Sequence, residues 1–126
     1  MALQFLYQLE VRKEEVIPEL GDFLSESDPE ESVRQFARQL IEGIISREKE
    51  IDRILSDAAC NWELKRMAVI DRLVLRLGAY EILYCSETPP AVVINEAVEL
   101  AKKFSTVASG AFVNGILDSI LRSKVS

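Results

Sequence analysis

At 126 residues the chain has the size of one globular domain, long enough to build a core without disulfides. Its 48% hydrophobic and 29% charged residues exclude intrinsic disorder. No apolar run approaches the ~20 residues of a membrane span, and no basic-then-apolar leader opens the chain, so a cytoplasmic location is expected.

The net charge of −6 argues against nucleic acid as a partner of the whole surface, because phosphate contacts rest on Lys and Arg. The charge is uneven, however. Residues 1–63 hold 15 acids and 7 bases, whereas residues 64–126 hold 6 acids and 8 bases. An acidic protein with one locally basic face is therefore allowed.

Apolar residues recur three and four apart almost throughout, which predicts an all-α protein. A first helix is expected from Met1 to about Arg12, with Leu3, Leu6, Tyr7 and Val11 on one face and Phe5 and Leu9 beside them. A second, short helix is expected over Glu14 to Leu24, with Pro18 tolerable only near its first turn. Ser25 to Asp28 reads as an acidic surface loop. Asp28, Pro29 and Glu31 then form a strong start: a cap, a proline at the first helical position and a carboxylate three residues after the cap. The apolar spacing from Val33 through Ala58 predicts one helix of about eight turns, bent near Gly43 to Glu48. Asn61 can cap a short helix holding Trp62, Leu64 and Met67, with Trp62 as a core anchor.

Val69 to Tyr84 is apolar nearly all round, the mark of a helix buried on most sides. Thr88, Pro89 and Pro90 force a sharp entry to a helix with Val93, Ile94, Ala97, Leu100, Ala101 and Phe104 as its apolar positions. Glu99 can pair with Lys102 or Lys103 on its outer face. Ser105 to Gly110 reads as a small-residue loop before a last helix built on Phe112, Val113, Ile116, Leu117, Ile120 and Leu121. The sum is about seven helices in one domain, 1–126.

Catalytic chemistry finds little support. The chain has no histidine, so a Ser or Cys nucleophile would need Lys or a carboxylate as its base. Asp71 and Glu81 lie ~15 Å apart along one helix and cannot flank a bond by themselves. Phosphate-cradling glycine motifs are absent. Cys60 and Cys85 have no metal-ligand spacing, read as reduced thiols, and imply no metal and no cofactor. Arg76 and Glu81, inside the buried helix, must be satisfied: Arg76 by helix-end carbonyls or the Asp71 and Arg72 neighbourhood, Glu81 by the backbone of the Thr88 to Pro90 turn. Asp71 and Arg72, one turn earlier, are expected to reach solvent, so that Asp71→Lys should leave the fold intact. Asn95, Glu96 and Asn114 read as groups that lock helices together. Phe112, near Lys102 and Lys103, is either a core ring or a platform for a base.

The blocks ALQFLYQLE (Ala2 to Glu10), LRLGAYEIL (Leu75 to Leu83), INEAVELAKKF after the Pro-Pro turn, and FVNGILD (Phe112 to Asp118) resemble the NusB family of bacterial antitermination factors over nearly the whole chain. The resemblance implies two packed helical sub-bundles and no enzymatic activity. It implies pairing with NusE, a small-subunit ribosomal protein, and binding of the pair to single-stranded boxA RNA in the RNA polymerase antitermination complex. By position, Tyr7, Val11 and Asp71 would face NusE, and Lys102, Lys103, Ser109 and Phe112 would face RNA. Typical members carry an arginine-rich segment directly before the ALQ block, where this chain has Met1. Ala108 and Gly110 stand where polar residues are common. An RNA-binding accessory module and a self-associating helical scaffold without RNA are the alternatives, the latter because some members dimerise.

Overall fold

The computed structural model describes residues 2–28, 30–59, 63–85 and 87–125. Pro29, Cys60, Asn61 and Trp62, to which the sequence assigned a helix start, a thiol, a cap and a core anchor, lie outside them. Among the described residues there are seven α-helices, two 3-10 segments and no strand, as the apolar spacing predicts. The chain divides into two compact units, Met1–Ser46 and Arg47–Ser126.

The first unit contains α1 (Ala2–Arg12), a 3-10 segment (Lys13–Glu19), α2 (Leu20–Ser27) and α3 (Glu31–Ser46). Lys13 ends α1 with φ 61°, a left-handed conformation that a side chain adopts at some cost. The expected Glu14–Leu24 helix is split: Pro18, with no N–H to donate, sits inside the 3-10 segment, and regular α geometry begins only after it. The expected acidic loop is largely helix, since α2 runs through Ser27. There the Ser25 and Ser27 hydroxyls donate to carbonyls four residues back.

Asp28 does cap the next helix, its Oδ1 accepting the Glu30 N–H at 2.8 Å. Both α1 and α2 pack on α3, burying Leu3, Phe5, Leu6, Leu20, Leu24, Leu40, Ile41 and Ile44. Tyr7 and Val11 are left outside that core, whereas Phe5 is fully buried in it, its ring 5.4 Å from that of Phe23.

The expected single long helix breaks at Arg47, which separates α3 from α4 (Glu48–Ala59) and opens the second unit. That unit continues with a 3-10 segment (Leu64–Arg66), α5 (Val69–Tyr84), α6 (Pro90–Phe104) and α7 (Val107–Val125). α5 has the predicted bounds and packs against α4, α6 and α7, with Leu73, Val74, Leu75 and Ala79 at 2% exposure or less. Gly78 lets Leu117 of α7 approach: a Cβ there would lie 2.6 Å from Leu117 Cδ1. The expected Ser105–Gly110 loop is also short, because α7 begins at Val107. Thr106 caps it, its Oγ1 accepting the Ser109 N–H at 3.1 Å in the ordinary N-cap to N3 bond.

Candidate functional site

Two buried charges on α5 organise the second unit. Arg76 pairs with α4: Nε and Nη2 donate to the two Asp52 carboxylate oxygens at 2.8 and 2.9 Å, and Glu48 lies 3.3 Å from Nη2. The planar guanidinium fork matches a carboxylate in this bidentate way, which a carbonyl at a helix end cannot equal. Nearby, Arg47 lies over the Tyr84 ring at 4.3 Å, and the Tyr84 hydroxyl donates to Glu50 at 2.6 Å. That hydrogen bond, with burial second, raises the Tyr84 pKa.

Glu81 differs from its expected role. No hydrogen bond joins its carboxylate to the Thr88–Pro90 turn among the described residues. Burial, and then the negative charge of Glu96, push its pKa up. Asn95, Glu96 and Asn114 are exposed and lock nothing. Asn95 and Asn114 instead line an open groove between α6 and α7, together with Lys102 and Asp118.

The second buried charge is Asp71. It was expected at the surface, but the residue is only 9% exposed, because α7 starts directly over it. Ser109, also buried, donates its hydroxyl proton to Asp71 Oδ2 at 3.0 Å. Thr106 Oγ1 at 3.0 Å and Ser105 Oγ at 3.1 Å surround the Ser109 oxygen. The Ser109 hydroxyl proton is shared between Asp71 and Ser105 as acceptors, and Thr106 can donate to the Ser109 oxygen. Asp71 Oδ1 has no hydrogen-bond partner among the described residues.

An open pocket of about 320 Å³ lies against this cluster, lined by Arg66, Met67 and Ala68, by Asp71, and by Thr106, Ala108, Ser109 and Phe112 of the α7 start. The structure thus brings together Asp71, Ser109 and Phe112. Lys102 sits instead in the α6–α7 groove, its stem over Gly110 and its ammonium 3.8 Å from Glu99, as anticipated for that pair. Lys103 is exposed, 5.2 Å from the centre of the Phe104 ring. Tyr7 and Val11, four apart on α1, are 44% and 62% exposed and belong to the first unit. Thr106 and Arg66 were not anticipated as part of the site. A Thr three residues before a Ser at a helix start was the available signal for the former.

Among the described residues no group of three or more potential ligands could hold a metal ion, and no helix is long and apolar enough to cross a membrane.

A profile described as the NusB family matches residues 1–122. The chain is 45% identical over 121 residues to the transcription antitermination protein NusB of Geobacter sulfurreducens, covering 95% of this chain and 88% of that protein. It is 44% identical over 128 residues to that of Streptomyces avermitilis, covering 99% and 89%. Among solved structures, T. maritima NusB superposes with a TM-score of 0.84 at 37% identity, covering 96% of this chain and 85% of that one. A chain of the antitermination factors NusB and NusE in complex with double-stranded RNA does so with a TM-score of 0.84 at 26% identity, covering 97% and 91%. On this footing the chain belongs to the NusB family, whose curated relatives are transcription antitermination proteins.

Proposed function

We propose that this chain pairs with NusE and that the pair binds the single-stranded boxA element of ribosomal RNA operon transcripts within the RNA polymerase antitermination complex. It acts in the cytoplasm as one domain, 1–126, and makes or breaks no covalent bond. The observation that carries this reading is the likeness, across 97% of the chain, to a chain of the antitermination factors NusB and NusE solved in complex with double-stranded RNA.

Local features agree with it. Tyr7 and Val11 leave an apolar, exposed pair on α1, the composition of a protein-docking spot, and they are assigned to NusE. Lys102 and Lys103 are exposed cations in the last turn of α6. With Phe112 at the pocket they supply phosphate and stacking contacts to RNA, while Ser109 holds the start of α7 in place. The second half of the chain carries a charge of +2 against −8 for the first, so NusE must supply much of the affinity. Calorimetric titration of NusE into the purified chain tests the pairing: one NusE per chain is expected, and absence of binding overturns the reading.

A further inference from the structure

We infer that the groove between α6 and α7 holds an extended segment of a further protein partner, gripped by its main chain and carrying an acidic and a basic residue four positions apart. The groove measures about 610 Å³, and both its helices belong to the second unit. Ile94, Val98 and Leu121 supply an apolar floor, and Asn95 of α6 and Asn114 of α7 line it from either helix. Both asparagines are exposed, and neither has a hydrogen bond among the described residues. Asparagine is a poor residue for a helix interior, because its side chain competes for backbone hydrogen bonds. Two of them lining one groove with nothing to bond are a cost that the fold does not recover. A carboxamide carries a donor and an acceptor in one plane, the same pair that a peptide unit offers. Above an apolar floor they suit an extended main chain, whose backbone bonds give affinity while alternate side chains meet the floor.

The charges at the two ends set the sequence of the segment. Lys102 closes one end, its stem so near Gly110 that a Cβ there would lie 3.0 Å from Lys102 Cγ and Cε. Asp118 stands toward the other end, two turns along α7 from Gly110 and therefore ~12 Å away. Each pairs with a neighbour on its own helix, Lys102 with Glu99 at 3.8 Å and Asp118 with Arg122 at 3.2 Å. Such exposed pairs are weak and exchange readily for a partner's charge. An extended chain advances ~3.3 Å per residue, so about four residues span the interval, and residues i, i+2 and i+4 face the groove together. The fitting segment is therefore acid-x-apolar-x-base, in either chain direction. RNA fits less well: no aromatic ring lines the groove and Asp118 offsets Lys102, which leaves neither a stacking platform nor a track for phosphates. Lys103 and Phe112, assigned to RNA above, lie outside this lining.

The test is fluorescence anisotropy of labelled synthetic peptides of this pattern, in both orders, titrated with the full chain. Controls carry two acids, or the two charges only two residues apart. At least one order should bind about fivefold or more tightly than either control, as expected when a like charge replaces an opposite one. Asn95→Ala and Asn114→Ala should each weaken that binding about threefold to tenfold, the loss of one or two hydrogen bonds. Their melting temperatures should hold or rise, since alanine is the better helix former, which a merely structural role for the asparagines would not allow. Asp118→Lys should move the preference to the two-acid peptides. No binding in either order, binding indifferent to both asparagine changes, or a preference unmoved by Asp118→Lys overturns the inference and leaves the NusE and boxA readings standing. Displacement of the peptide by NusE gives the groove to the pairing already proposed, and loss of boxA RNA binding in the two asparagine variants gives it to nucleic acid; either result overturns a further partner. Failure of the chain to pair with NusE, with the peptide results as expected, removes that reading and keeps this one.

Discussion

Ser109 of α7 and Asp71 of α5 are joined by a 3.0 Å hydrogen bond in a buried setting, so a residue assigned to the partner face and one assigned to the RNA face are a single structural unit. Ser109→Ala removes the donor from a carboxylate that already has one oxygen unpaired. It should cost about 1–3 kcal/mol, read by urea denaturation. Asp71→Lys, which a surface position would tolerate, puts an ammonium in place of a buried carboxylate and should cost at least about 3 kcal/mol. Equal stability of Asp71→Lys and wild type would contradict the burial described here.

Arg76 should be the most sensitive charged position on α5. It is held by both Asp52 oxygens with its side chain 11% exposed, so truncation to Ala should destabilise by about 3 kcal/mol or more. Arg76→Lys, which keeps charge but loses the fork, should recover only part of that. Thermal melts of the two variants side by side check the ordering, and full rescue by Lys would rule out bidentate pairing as the cause.

Two glycines in helices should respond with opposite signs to the same substitution. Gly78→Ala drives a methyl to 2.6 Å from fully buried Leu117, and overpacking of about 1–3 kcal/mol outweighs the gain in helix propensity of up to about 1 kcal/mol. Gly115→Ala meets nothing within 4 Å and should keep the propensity gain. Denaturation midpoints that move the same way for both would refute this.

How far these features were legible in the sequence depended on whether the signal was local. The all-round apolar pattern of α5 and the Asp28 cap could be read directly, because each reports on its own segment. The break at Arg47 could be read only as a bend near Gly43 to Glu48, because Ile44 and Ile51, seven apart, keep the apolar spacing in register across it. Ser105 to Gly110 was misread by composition, since small polar residues serve equally as a loop and as a capped helix start. Asp71 was misplaced for a similar reason. Its burial is made by Ser109, 38 residues on, and no spacing within α5 encodes that. The partner of Arg76 was missed because Asp52 looks like any solvated acid of α4.

Glu81 sets a pH dependence. Burial and Glu96 raise its folded-state pKa above the unfolded value near 4.5, so the folded state binds more protons in that window. Stability from this group is present at lower pH and declines as pH rises from about 4.5 through the raised value. Glu81→Gln should remove that decline and raise the melting temperature at pH 7 by a few degrees at most, about 1–3 °C. Melts at pH 4.5 and pH 7 check it, and a larger benefit at pH 4.5 would reverse the sign.

Val11, 62% exposed on α1, separates docking from folding. Val11→Asp should leave the melting temperature within about 1 °C, as for a surface change, and weaken NusE binding by about tenfold or more, since a lone carboxylate would be buried at an apolar contact. Unaltered NusE affinity in a pull-down titration would remove α1 from the interface.

Joint recognition of boxA RNA by this chain and NusE is tested most directly by a native gel of that RNA at low salt with this chain, with NusE, and with both. Retention by the pair well beyond either protein alone, and lost when the boxA sequence is scrambled, is the predicted result. Retention by the pair no greater than by NusE alone would contradict it.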